Sequence, residues 1–273
     1  MVFTSAIEVL PAVAYNNLPT DHEAKSQSEA RDLKTAHVAT LIGILRAHKL
    51  EGDLEIHLLH RHFQLQDGEA IIHKEISLGG KDPDIPGVKI DIAKVMKCPD
   101  HLTTFLAPVM WYSAEVEKLV PYEYAIDLTP QPNRAASKVP TSKLDTFAKD
   151  FSAYVWGAGL QNLVSLKDKS CVAGFEYVAP EFQALFKVPN SIVNLQTNSG
   201  LIETGWTLDS EGKDPFLQSS DTHVTKTRQT TGGTVATYHD VVQSGDHSFD
   251  PREISPAYTE QMWAAVETTA FKA

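Results

Sequence analysis

Apolar residues recur along this chain in two rhythms, one helical and one extended. From Ala30 the period is helical: Leu33, Ala36, His37, Thr40, Leu41, Ile44 and Leu45 share one face. Thr20 with Glu23 three residues on is a capping-box pattern, and Lys49 and Gly52 suit a helix C-terminus. These signals predict a long N-terminal helix after an arm that ends at Pro19. A second stripe, Leu144, Phe147, Ala148, Phe151, Tyr154 and Val155, predicts a middle helix capped by Ser142 and ended by Gly157 and Gly159. Ser255-Pro256 opens a C-terminal helix that runs to about Phe271, with Met262, Trp263 and Val266 as its docking face.

Elsewhere the period is two. The segment Glu55 to Leu78, EIHLLHRHFQLQDGEAIIHKEISL, reads as a β-hairpin, because Asp67-Gly68 is a two-residue turn signal between alternating apolar flanks. Thr103–Tyr112 with Leu119–Leu128, and Leu160–Leu166 with Cys171–Val178, read as further strand pairs. Leu201–Leu208 pairs in the same way with Ser191–Thr197, and Thr222–Thr230 with Thr234–Val242 across Gly232-Gly233. Val88–Ile92 is a short strand, and Pro180–Phe186 is read as one or two helical turns. Hairpin connections rather than βαβ crossovers predict an α+β fold with a mainly antiparallel curved sheet or half-barrel. Residues 1–273 form a single domain, or two helix-plus-hairpin halves, 20–128 and 142–242, joined by the proline-rich linker at 129–141.

The hairpin gathers the chemistry. With Asp67-Gly68 as the loop, His62 opposes His73 and His60 opposes Glu75, all on one face. Three imidazoles and a carboxylate on adjacent rungs suit one divalent metal, Fe(II), Mn, Cu, Ni or Zn. Three histidines and a glutamate are also the ligand set of the cupins. Cupins place the glutamate a few residues after HxH and the last histidine far downstream; this chain does neither, so no membership follows. The competing reading is a solvated hairpin face that needs no metal. His57 lies on the opposite face and reads as an ordinary sheet histidine. Glu176 sits in an apolar strand and reads as an outward-pointing carboxylate; if buried, it would serve as an acid or base. Cys98 and His101 have C-x2-H spacing without a second pair, which reads as an ordinary loop.

Composition narrows the partners. The chain is 42% hydrophobic and 22% charged, enough for a sizeable core, and its formal net charge of −11 disfavours nucleic acid and anionic membranes as partners. Two cysteines make no disulfide framework, and the N-terminus lacks the basic region of a signal peptide. These features predict a soluble cytoplasmic protein. No P-loop, GxSxG, HExxH or GxGxxG motif occurs. The expected function is a metal-dependent enzyme acting on a small organic molecule, oxidative in the manner of a non-haem dioxygenase. His60, His62, His73 and Glu75 are the expected ligands. The alternatives are a metal-free lyase or isomerase, with a histidine base polarised by Glu75, and a non-catalytic binding protein.

Overall fold

The computed structural model describes residues 7–80, 86–126, 141–172, 174–179, 182–193, 201–208, 217–219, 222–224, 227–229, 235–237, 254 and 256–268. Apart from Thr141, the linker expected at 129–141 lies outside these residues.

The chain enters through helices α1 (Ala12–Asn16), α2 (Asp21–Ala30) and α3 (Val38–Ala47). The Thr20 hydroxyl accepts from the Glu23 amide, and the Glu23 carboxylate accepts from the Thr20 amide at 2.7 Å, completing the capping box. The N-terminal helix is not continuous: Asp32 takes a left-handed backbone, φ 54°, and a π-helical turn at Leu33–His37 precedes α3. The expected stripe survives in part: Leu33, Leu41 and Leu45 are buried, but Ala36 and Thr40 are exposed and Val38 and Ile42 are buried in their place, because the π-turn rotates the face.

The strands are β1 (Leu54–Leu58), β2 (Glu69–Leu78), β3 (Val88–Lys97), β4 (Leu106–Glu115) and β5 (Lys118–Ile126). After helix α4 (Thr141–Gly157) come β6 (Val164–Asp168), β7 (Phe175–Ala179), β8 (Ala184–Val188), β9 (Leu201–Glu203), β10 (Gly205–Leu208), β11 (Leu217–Ser219) and β12 (Thr222–Val224). They form one sheet in the order β11-β10-β1-β6-β4-β5-β2-β3-β8-β7-β12-β9. β13 (Thr227–Gln229) and β14 (Val235–Thr237) form a separate ribbon with Thr227 opposite Thr237, part of the Thr-rich pair expected from sequence; Thr222–Val224, expected in the same strand, instead joins the large sheet as β12. Only the β2–β5 and β7–β12 ladders are parallel among the described pairs. The fold is α+β, with a curled sheet forming a half-barrel and a few helices.

Two expected hairpins do not form. β1 pairs with β6 and β10, whereas β2 pairs with β3 from Glu69 opposite Lys97 to Leu78 opposite Val88. β6 pairs with β1 and β4, and β7 with β8. Residues Ala184–Val188, read within a helical turn, are the buried strand β8. The expected pair Thr103–Tyr112 and Leu119–Leu128 does form, as β4 and β5.

Helices cover the outside of the curl. Phe147, Phe151 and Val155 of α4 and Leu41 and Leu45 of α3 pack on Leu54, Ile56, Leu58 and Leu166. Helix α5 (Pro256–Thr268) sets Tyr258, Met262 and Val266 against Ile90, Ile92, Tyr177, Phe186 and Val188. Each fully buried side chain of this kind contributes about 1.5–3 kcal/mol. Side chains alternate along a strand, so the neighbours of these residues point the other way. They are Glu55, His57, Lys167, Asp91, Lys187 and Glu176, and all are buried too. The concave face is therefore a buried interior in which these polar groups lie beside the apolar cluster of Ile71, Ala93 and Leu185, not a solvated surface. Strands β1 and β7 are seven steps apart in sheet order. In a flat sheet that is about 34 Å, yet the His57 and Glu176 side chains come within 3.9 Å.

Candidate metal centre

His57 is held on β1, but the segment after it leaves the sheet. The Arg61 amide donates to the Pro19 carbonyl at 2.8 Å, and the Arg61 Nε donates to Leu18 at 3.1 Å. The Asn16 side chain clasps Leu65, donating to its carbonyl and accepting from its amide, each at 2.8 Å. The His62 amide donates to the Tyr15 hydroxyl at 3.2 Å. These ties to the N-terminal arm satisfy backbone groups that a strand partner would otherwise satisfy. They turn the HxH pair inward.

Glu176 arrives from the far side of the curl on β7. Its Oε2 lies 3.9 Å from His60 Nε2 and 3.8 Å from His62 Nε2, and its Oε1 lies 3.9 Å from His57 Nε2. One donor atom from each of His60, His62 and Glu176 falls within 4.8 Å of the others. The His57 and His60 rings stack at 5.6 Å, and the His60 and His62 rings meet edge-on at 4.7 Å. Lys187 of β8, opposite Glu176 in the ladder, sets its Nζ 2.6 Å from Glu176 Oε1. That engages one carboxylate oxygen and leaves Oε2 turned to the histidines.

The ring tautomers follow from the other nitrogens. His57 Nδ1 and His60 Nδ1 both donate to the Leu58 carbonyl, at 3.0 and 2.8 Å, because a carbonyl oxygen only accepts. His62 Nδ1 donates to Glu123 Oε1 at 3.0 Å. In the neutral rings the lone pair then sits on Nε2, the atom that faces Glu176.

Behind His62 lies a buried polar chain. Glu123 Oε2 accepts from His73 Nε2 at 2.7 Å, and Asp91 Oδ2 accepts from His73 Nδ1 at 2.6 Å. Burial lowers the His62 imidazole, but Glu123 and then Glu176 outweigh it and raise its pKa to about 10. Burial likewise lowers His73, and Asp91 and then Glu123 lift it to about 9. Burial raises the Glu123 carboxyl, but His62 and then His73 hold it far below the usual carboxylate range. Nearby on the same interior face, Lys167 Nζ and Glu55 Oε1 form a second buried ion pair at 3.3 Å.

Of the four residues expected as ligands, His60 and His62 come together. His73 meets Glu123 instead, and Glu75 is exposed and pairs with Lys89 at 2.8 Å. The hairpin that would have aligned them is absent. Glu176, read as outward-pointing, is buried, and His57, read as an ordinary sheet histidine, stands beside it. The legible signal was the alternation in Phe175-Glu176-Tyr177, which puts the carboxylate opposite two aromatic residues. Cys98 is half-buried with its thiol pushed up to about 11 by burial, and His101 is exposed in the 3-10 turn Asp100–Phe105. No family model, no curated protein and no solved structure matches the chain.

Proposed function

We propose that this chain is a metal-dependent enzyme acting on a small organic metabolite. His60 Nε2, His62 Nε2 and Glu176 Oε2 are the proposed ligands of one divalent metal, with His57 Nε2 a fourth donor within reach. The carrying observation is the convergence of these buried atoms with their opposite ring nitrogens already engaged. Metal–donor bonds of about 2.0–2.2 Å imply donor separations of roughly 3.0–3.6 Å. The 3.8 and 3.9 Å separations around Glu176 Oε2 thus call for closure on the order of half an ångström.

Imidazole and carboxylate donors suit Fe(II), Mn, Cu, Ni or Zn, and a centre with open positions supports non-haem dioxygenase-like oxidation, or a metal-assisted lyase or isomerase reaction. The metal would supply a Lewis acid or an O₂-activating centre. The chain's own part is to hold the donors, exclude water and neutralise charge with Lys187. The net charge of −11 favours a small-molecule partner over nucleic acid or an anionic membrane. Among the described residues no helix is long and apolar enough to cross a membrane. Two free cysteines fit a cytoplasmic setting within the same proposal.

One observation favours a second reading, a metal-free lyase or isomerase. Carboxylates on both sides of His62 hold a proton there at neutral pH, with Glu123 rather than Glu75 as the polarising group. Elemental analysis separates the two. After incubation with Fe(II), Mn, Cu, Ni or Zn and desalting, one equivalent of metal is expected in the native chain and none in His62→Ala with Glu176→Gln. A native chain that stays metal-free with every ion removes the metal reading.

A further inference from the structure

Resting on the metal reading above, we propose that Glu123, His73 and Asp91 are positioning residues for the centre. Acting in series, they lock the His62 ring in the tautomer that presents Nε2 to the metal. Asp91 does this from three side chains away.

Hydrogen-bond direction fixes the order of this chain. His73 lies between two carboxylates, with Nδ1 at 2.6 Å from Asp91 Oδ2 and Nε2 at 2.7 Å from Glu123 Oε2. An ionised carboxylate only accepts, so both ring nitrogens carry hydrogen and His73 is an imidazolium. Glu123 accepts the His73 Nε2 hydrogen bond on Oε2 and turns Oε1 to His62 Nδ1 at 3.0 Å as an acceptor. His62 Nδ1 must donate, so once a metal displaces the proton on Nε2 the donor lone pair is on that atom, which faces Glu176 Oε2 at 3.8 Å. The Tyr15 hydroxyl adds a second fixture: it accepts from the His62 amide and donates to Glu123 Oε1 at 3.4 Å. All five side chains are buried, so water does not scramble the pattern.

The parts come from different elements: Asp91 from β3, His73 from β2, Glu123 from β5 and Tyr15 from α1. Sheet register thus sets the orientation of a ligand that lies outside the sheet. Partners of this kind on a metal-bound histidine typically change metal affinity by about 10–100-fold when altered.

The test uses the full chain with ¹⁵N-labelled histidine and zinc as the diamagnetic probe. Long-range ¹H–¹⁵N correlation in the zinc-loaded protein should show His62 protonated at Nδ1 and metal-bound at Nε2, and His73 protonated at both nitrogens. Zinc affinity should fall about 10–100-fold in Glu123→Gln and by a smaller factor in Asp91→Asn. Should either variant fail to fold, the protonation pattern of the native chain still decides. If the native chain binds none of Fe(II), Mn, Cu, Ni and Zn, the metal reading fails and takes this inference with it; if it binds another of these ions but not zinc, the same two variants are read by their affinity for that ion. If it binds zinc with His62 ligated through Nδ1, with His73 neutral, or with both folded variants unchanged in affinity, this inference alone is overturned.

Discussion

Replacing Glu176 by glutamine removes the carboxylate that Lys187 faces across the β7–β8 ladder. The ion pair is 2.6 Å long and both side chains are buried, at 0% and 1% exposure. At that distance the gross attraction is about 6 kcal/mol for an effective dielectric constant near 20, and the desolvation of both ions offsets most of it. The larger effect of the substitution is the ammonium left without its partner charge, which typically costs 3–5 kcal/mol. Asp91 also acts on Lys187 through space, so the lower end, about 3 kcal/mol, is expected. Lys187→Met should cost a similar amount by stranding Glu176. The double variant removes both charges and should cost less than the two single changes together, by about 2 kcal/mol or more. Urea unfolding of the chelator-treated protein at pH 7, followed by circular dichroism and tryptophan fluorescence, measures all four corners of this cycle. Single costs that add to within about 0.5 kcal/mol would refute the coupling. Lys187→Met should retain metal binding, because Glu176 Oε2 and both histidines remain.

Gly174, two residues before Glu176, has φ +147°, and a Cβ there would collide with the Val188 carbonyl oxygen. Gly174→Ala should cost at least about 2 kcal/mol in the same unfolding assay and weaken metal binding by displacing the β7–β8 pair. The His73–Asp91 pair gives the apoprotein a pH signature. His73 is raised above its unfolded value of 6.5 to about 9, so its contribution is complete below 6.5 and is lost as pH rises toward 9. Burial raises the Asp91 carboxyl, but His73, then Lys187 and Lys167, outweigh it and hold it low, so its contribution is lost as pH falls through the carboxylate range. Unfolding free energy should therefore decline on both sides of mildly acidic pH, by about 3 kcal/mol from His73 on the alkaline side and further from His62, which is raised to about 10; a flat profile from pH 6 to 9 would contradict this. Glu75→Gln should leave metal affinity unchanged and shift stability by less than about 0.5 kcal/mol, since its pairing with Lys89 is exposed; a metal-binding defect would restore Glu75 as a ligand.

Local signals in this sequence read truly where the deciding contacts are local. The Thr20–Glu23 capping box, the α4 stripe through Phe147 and Phe151, the β4–β5 hairpin and the docking face of Met262 and Val266 all depend on near neighbours or on periodicity. The hairpin at Asp67-Gly68 failed for a nonlocal reason. Gly68 does take a positive φ of 75°, but the chain before it is tied to Asn16, Leu18 and Pro19 and never pairs with β2. Half of the expected cluster, His60 and His62, survived because an HxH step points two rings in one direction whether or not the strand is paired. Glu176 and His57 were missed because an apolar face on one side of a strand was taken to imply water on the other. In a curled sheet both faces are interior: Phe175 and Tyr177 pack toward α5, and Glu176 faces His60 and His62 across the curl. Curl is a property of the whole sheet order, and no single segment encodes it.

Anomalous diffraction at the metal edge, from crystals of the full chain grown with Fe(II), Mn or Zn, tests the central claim most directly. One peak is expected, bonded to His60 Nε2, His62 Nε2 and Glu176 Oε2, with His73 and Glu75 outside its coordination. A peak elsewhere, or no peak between these three side chains with any of the metals, would contradict it.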